Sequence, residues 1–100
     1  MSEKIYTKQQ IQDILQPVFI SHNVKKAVLF GSYAKGLAEE RSDIDILVDS
    51  GLKGLAFYGL LEDVVASLGK SVDLLDASQI KVGSQVEKEI ANSGVVIYEQ

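Results

Sequence analysis

The stretch Asp43-Ile44-Asp45-Ile46-Leu47-Val48-Asp49 decides how this chain is read, because apolar and acidic residues alternate along it. In an extended segment Ile44, Ile46 and Val48 share one side, and Asp43, Asp45, Leu47 and Asp49 share the other. The first side is a core face, so the segment is a strand. The second side carries two carboxylates, Asp43 and Asp45, aimed the same way. At ~6 Å and an effective dielectric of ~20, two such charges repel by about 3 kcal/mol. A bound cation would remove that cost. So would solvent on the wet face of a sheet, which is the ordinary reading of an isolated Asp-x-Asp.

Upstream, Val24–Phe30 ends in the continuous apolar run Ala27-Val28-Leu29-Phe30 and reads as a buried strand stopping at Gly31. Gly31-Ser32 then opens a short turn, Tyr33-Ala34-Lys35-Gly36. Glycine lets backbone N–H groups approach an anion, serine adds a hydroxyl donor, and Lys35 offers a positive charge. Gly-Ser is equally an ordinary turn. Downstream, the pairs Leu60/Leu61 and Val64/Val65 place a helix over Leu55–Leu68, with Gly69 as its C′ residue. Ser71–Leu75 reads as a third strand and carries Asp73 among aliphatics. A buried carboxylate there needs a partner; one at a sheet rim does not. If this strand neighbours Asp43–Asp49, Asp73 stands about 5 Å from one of the pair.

At the two ends, Ile11, Ile14, Leu15, Val18 and Phe19 recur at helical spacing behind a Thr7/Gln10 capping box. Pro17 is expected to kink or divide that helix. Ser84 and Glu87 suggest a second capping box before a short helix with Val86 and Ile90, and Gly94 releases the chain into a strand at Val95–Tyr98. The order α-β-turn-β-α-β-α-β predicts an α+β protein, a small mixed sheet flanked by helices, with residues 1–100 as a single domain.

Composition narrows the chemistry. Hydrophobic residues are 46% and charged residues 24%, with eight Gly and one Pro, which is the make-up of a folded globular protein rather than a disordered or fibrous one. Ten basic against fourteen acidic residues give a net charge of −4, so non-specific nucleic-acid binding through phosphate neutralisation is not expected. Without cysteine there is no disulfide, thiolate nucleophile or Cys-based zinc site, and the single His22 cannot build a multi-histidine site. A metal here would take oxygen ligands, which suits Mg²⁺ or Mn²⁺. The polar start Met-Ser-Glu-Lys leads into no signal region, and the longest apolar run, Gly54 to Leu61, is far short of the ~20 residues of a membrane span. The chain reads as soluble, intracellular and cytoplasmic, with no membrane partner.

Taken together, Gly31-Ser32, ten intervening residues, Asp43-x-Asp45 and a later strand with Asp73 make one constellation. Phosphate donors beside convergent carboxylates are what two-metal phosphoryl or nucleotidyl transfer requires. Gly31-Ser32-Tyr33-Ala34-Lys35-Gly36 followed by Ser42-Asp43-Ile44-Asp45-Ile46-Leu47-Val48 resembles the signature of the nucleotidyltransferase superfamily that includes DNA polymerase beta, and more closely that of the minimal nucleotidyltransferases. The resemblance implies that Gly31 and Ser32 hold nucleotide phosphates. It implies that Asp43 and Asp45 bind two Mg²⁺ ions, for which Mn²⁺ can substitute, and that Asp73 assists the catalytic metal and the attacking hydroxyl. Many members carry Arg where this chain has Lys35, a point charge in place of a bidentate fork.

The same resemblance implies an antitoxin of a type VII toxin–antitoxin pair, one that transfers AMP from ATP to a tyrosine of a HEPN-domain RNase toxin in a hetero-oligomer. With 100 residues spent on the catalytic sheet, the acceptor is expected to bring its own docking surface. Two rival readings stand beside it: a non-catalytic nucleotide-binding module that neutralises its partner by contact, and an enzyme acting on a small molecule or a tRNA end. Glu39, Glu40 and Arg41 read as solvated loop charges, with a phosphate contact for Arg41 as the alternative. His22 reads as an exposed cation at a helix end. Phe57 and Tyr58 read as core, and Gly59 beside them suggests close packing of another backbone.

Overall fold

The computed structural model describes residues 5–100, so the polar Met-Ser-Glu-Lys start lies outside the described residues. Helix α1 spans Lys8–Ser21, strand β1 Lys26–Phe30, helix α2 Gly31–Lys35, strand β2 Ile44–Asp49, helix α3 Leu55–Leu68, strand β3 Val72–Asp76, helix α4 Gln85–Ser93 and strand β4 Val95–Glu99. A single 3-10 turn, Ala77–Gln79, follows β3. The strands form one sheet in the order β3-β2-β1-β4, antiparallel around β1 and parallel between β2 and β3. The expected mixed α+β sheet is therefore the observed one.

The alternation in β2 positions both layers. Ile44, Ile46 and Val48 are fully buried with Ala27 and Leu29 of β1, Leu74 of β3 and Ile97 of β4. Onto that face pack Ile11, Leu15 and Phe19 of α1 and Leu60, Val64 and Leu68 of α3 in one core. The opposite face carries Asp45, Leu47 and Asp49 of β2; α4 packs on β1, and α2 on both β1 and β2. Among the described residues no helix is long and apolar enough to cross a membrane.

Several local expectations meet the structure directly. Thr7 accepts from the Gln10 amide at 3.0 Å while the Gln10 side chain accepts from the Thr7 amide at 2.9 Å, which closes the capping box. Gly69 ends α3 at φ +67°, the left-handed conformation a C-terminal glycine supplies.

Others need correction. Pro17 does not divide α1, which runs unbroken through it. It removes one backbone donor at an exposed position, while Leu15 and Phe19 hold the helix to the core on either side. The segment after Gly31 is not a turn but a full turn of α-helix, closed at Gly36 with φ +75° and by a Leu37 amide to Ser32 carbonyl bond of 2.9 Å. Ser84 caps the Glu87 amide at 3.2 Å, but the Glu87 carboxylate reaches back to the Gly83 amide at 2.7 Å, one residue beyond the box.

Nothing lies within 4 Å of a Cβ placed at Gly59, so no backbone packs closely there, and Tyr58 is exposed while Phe57 packs against the core. His22 is not a free cation. Its Nε2 lies 2.7 Å from Asp63 and ties the end of α1 to α3.

One buried carboxylate escaped the sequence reading. Asp76 ends β3 on the core side, where Oδ1 accepts from the Ser50 hydroxyl at 2.6 Å and Oδ2 from the Ser78 hydroxyl at 2.6 Å. Burial alone would raise its carboxyl, but the Ser50 and Ser78 donors outweigh that and hold it below the ordinary carboxylate range. Asp76 thus joins the ends of β2 and β3 as a structural acid, at the end of the sheet away from Asp43.

Candidate active site

The two acid-bearing strands meet in register. Asp45 of β2 pairs with Asp73 of β3, and Phe30 of β1 pairs with Asp45 on the other side. Neighbouring strands lie about 4.8 Å apart, so Asp45 and Asp73 project side by side from one face. Asp43 sits two residues before Asp45, just ahead of β2, where the Ile44 amide to Ser71 carbonyl bond of 3.1 Å starts the ladder. The loop before it is braced internally. Ser42 accepts from the Glu39 amide at 2.8 Å, its own amide donates to the Glu39 carbonyl at 3.0 Å, and Lys70 Nζ donates to the Glu40 carbonyl at 2.8 Å.

Gly31 explains how the start of α2 and the acids come together. It has φ +74°, and a Cβ built on it would overlap Asp45 Oδ2 and lie 3.1 Å from Asp45 Cγ. Only glycine allows the carboxylate to rest against the first residue of α2. Tyr33 and Ala34 are buried in the core and fix that helix, which leaves Ser32 half-buried in its first turn, one residue after Gly31.

The carboxyl groups act on one another. Burial, then the charges of Asp73, Asp43 and Glu89, push the Asp45 carboxyl up to about 6 from 3.8. Glu89 is a fourth acid that the sequence reading missed. Its signal was present: Val86, Glu89, Ile90 and Ser93 share one face of α4 at spacings of three and four, so Glu89 belongs to the face turned to the sheet.

Among the expected residues, Gly31, Ser32, Asp43, Asp45 and Asp73 are thus gathered at one end of the sheet. Lys35 is exposed at the end of α2. Glu39, Glu40 and Arg41 are exposed, as solvated loop charges would be. Arg41 and Asp43 border the same shallow polar cleft with Lys70.

The donor set is all oxygen and acidic, which fits a hard divalent cation and no softer metal. Among the described residues no group of three or more acidic or histidine side chains is closed enough to hold an ion as it stands. The charges of Asp73, Asp43 and Glu89, which add to burial in raising the Asp45 carboxyl, are what such an ion would offset. Chemically, the arrangement can bring a polyphosphate at Ser32 next to carboxylates able to bind cations and take up a proton.

A family model described as polymerase beta, nucleotidyltransferase, matches residues 9–100. An inferred protein adenylyltransferase of Methanocaldococcus jannaschii is 39% identical over 74 residues, covering 71% of this chain and 78% of its own. Protein adenylyltransferase MntA of Thermococcus cleftensis is 46% identical over 65 residues, 60% of this chain and 63% of its own. Among solved structures, a chain of a toxin–antitoxin complex with AMP-PNP superposes with a TM-score of 0.73 at 24% identity, covering 89% of this chain and 73% of that one. A chain from the complex of a tri-AMPylated Shewanella oneidensis HEPN toxin with an MNT antitoxin gives 0.68 at 22% identity, covering 94% and 74%. At those identities the superpositions bear on the fold.

Proposed function

The chain belongs to the polymerase beta nucleotidyltransferase family, and on that premise we propose that it is an adenylyltransferase antitoxin moving AMP from ATP to a tyrosine of a HEPN-type RNase toxin. The observation that carries this is the in-register pair Asp45–Asp73, with Asp43 beside it and the Asp45 carboxylate resting against Gly31. The adenylyltransferase relatives support the reaction class, and the toxin–antitoxin complexes support the partner and a hetero-oligomer; a cytoplasmic location is part of the same proposal.

In this reading Asp43, Asp45 and Asp73 hold Mg²⁺, with Mn²⁺ as a substitute. Bound there, the ions supply the positive charge that the triphosphate and departing pyrophosphate need. Ser32 and the backbone at Gly31 hold the phosphates, and Lys35 adds a positive charge. The acceptor phenol oxygen bonds to the α-phosphorus, the bond from that phosphorus to the bridging oxygen breaks, and pyrophosphate leaves. The phenol proton passes to Asp73, the exposed acid of the pair.

With ATP labelled at the α-phosphate, Mg²⁺ and the toxin partner, label is expected on toxin tyrosine together with released pyrophosphate. Label arriving only from the γ position would make the reaction a phosphorylation and overturn the reading. Ser32→Ala is expected to keep the fold and slow transfer, or weaken ATP binding, by ten- to a hundredfold. That is the worth of one hydrogen bond to a charged group, about 1.5–3 kcal/mol. An unchanged rate and affinity would return Gly31-Ser32 to an ordinary helix start.

A further inference from the structure

A polar cleft of about 340 Å³ opens at the starts of β2 and β3, lined by Glu40, Arg41 and Asp43 ahead of β2 and by Lys70 and Ser71 ahead of β3. It adjoins the acid cluster directly, because Asp43 belongs to both. Ser71 lies two residues before Asp73, as Asp43 lies two before Asp45, and the Ile44 amide to Ser71 carbonyl bond of 3.1 Å keeps the two strand starts side by side. The cleft therefore begins within one two-residue strand step, about 6.6 Å, of the Asp45–Asp73 pair.

The cleft lies on the acceptor's side of the acids. Helix α2, which holds the phosphates in the proposed reaction, follows β1 and packs on β1 and β2. Strand β3 is on the other side of β2. In-line transfer puts the attacking oxygen opposite the leaving pyrophosphate, so the acceptor enters from the β3 side. A phenol brings no charge there, yet the cleft offers two cations. The Glu40 carbonyl accepts from Lys70 Nζ at 2.8 Å and holds that ammonium at the edge. Arg41 is exposed, and among the described residues its guanidinium makes no hydrogen bond or ion pair. Asp43 serves the cation site in the proposed reaction, which leaves the charges of Arg41 and Lys70 set against Glu40 alone.

We infer that this cleft is an acceptor subsite for an anionic group carried beside the acceptor hydroxyl, with Arg41 as its specificity-determining residue. A guanidinium fork takes carboxylate or phosphate oxygens in pairs, and Lys70 adds a point charge to the same anion. The inference rests on the transfer reaction proposed above and adds what the acceptor carries. Two sources share this chemistry: an acidic side chain next to the tyrosine, and a phosphate already joined to the acceptor. A basic neighbour of the tyrosine would be repelled by the same two cations.

Amide-resolved NMR of the protein saturated with Mg²⁺ and a non-hydrolysable ATP analogue reads the cleft without turnover. Three probes are titrated: N-acetyl-glutamyl-tyrosinamide, AMP, and the neutral N-acetyl-alanyl-tyrosinamide. The amides of Arg41, Lys70 and Ser71 are expected to shift with at least one of the two anionic probes, and the probe that acts identifies the source. No shift is expected from the neutral probe or from the analogue alone; shifts from either, or from none of the probes, would overturn the subsite. In the transfer assay with the toxin partner, Arg41→Gln is expected to raise the acceptor KM about tenfold, the worth of one charge-assisted hydrogen bond, and to leave the ATP KM unchanged. An unchanged ATP KM also shows that the variant is folded. A rise in the ATP KM instead would assign Arg41 to the triphosphate, and no change in either would make it a solvated loop charge; both outcomes count against the subsite. Wild type that transfers no AMP to the partner refutes the reaction itself, whereas wild type that transfers AMP with silent cleft amides refutes the subsite alone.

Discussion

Asp45→Asn is expected to slow AMP transfer by about a thousandfold or more, the loss of several kcal/mol of charge stabilisation around the phosphates. The same change is expected to leave the ligand-free protein as stable as before, or more stable, at neutral pH. Most substitutions of a half-buried strand residue do the reverse. The cause is the Asp45 carboxyl, pushed up to about 6 from 3.8 by burial and by Asp73, Asp43 and Glu89. Between those two values the folded protein holds a proton that the unfolded chain has released. Stability therefore falls as pH rises through the window and stays lower above it. Solvent around this carboxylate screens the penalty to about 1–2 kcal/mol.

Asn carries no such proton, so the falling limb should vanish in the variant. Mg²⁺-ATP at a hundred times its dissociation constant should stabilise wild type by about 2.7 kcal/mol and the variant by much less. Thermal melts of both proteins below and above the window, with and without Mg²⁺-ATP, measure every corner. A variant destabilised at neutral pH that still gains fully from Mg²⁺-ATP would make Asp45 a structural strand residue. Retained toxin neutralisation by the Asp43→Asn/Asp45→Asn pair would instead favour neutralisation by contact.

The strands and long helices were legible because burial writes a period into sequence. Ile44, Ile46 and Val48 could face the core only as a strand, and Asp73 could meet Asp45 only if β3 lay beside β2, as it does. What escaped was set by short-range geometry or by partners distant in sequence. Five residues from Gly31 to Lys35 are too few to show helical periodicity, so one turn of helix read as a turn. Asp76 lay one residue beyond the strand read as Ser71–Leu75, and its role depends on Ser50, 26 residues away. His22 found Asp63 across 41 residues. Gly59 shows the opposite error, in which a helix-weakening residue was given a packing reason that the open space around it does not supply. Gly31 was assigned to phosphate approach alone, while its closest constraint is the Asp45 side chain.

That constraint gives the second large effect. Gly31→Ala is expected to destabilise the protein by about 2–5 kcal/mol. Of this, about 1–2 comes from forcing an L-residue to φ +74°. Another 1–3 or so comes from driving a methyl into the Asp45 carboxylate. For a chain of this length each kcal/mol lowers the melting temperature by about 4–8 °C. Transfer should fall with it even where the variant stays folded, because relief of the overlap moves Asp45 away from Asp73 or α2 away from the acids.

A double-mutant cycle separates the two causes. In an Asp45→Ala background the carboxylate is gone, so Gly31→Ala should cost only its backbone part. The two changes should then couple by about 1–3 kcal/mol. Urea unfolding of the four proteins provides the measurement. Equal costs in both backgrounds would mean that the Asp45 carboxylate does not rest on Gly31. The joint between the start of α2 and the acids, on which the proposed site depends, would then have to lie elsewhere.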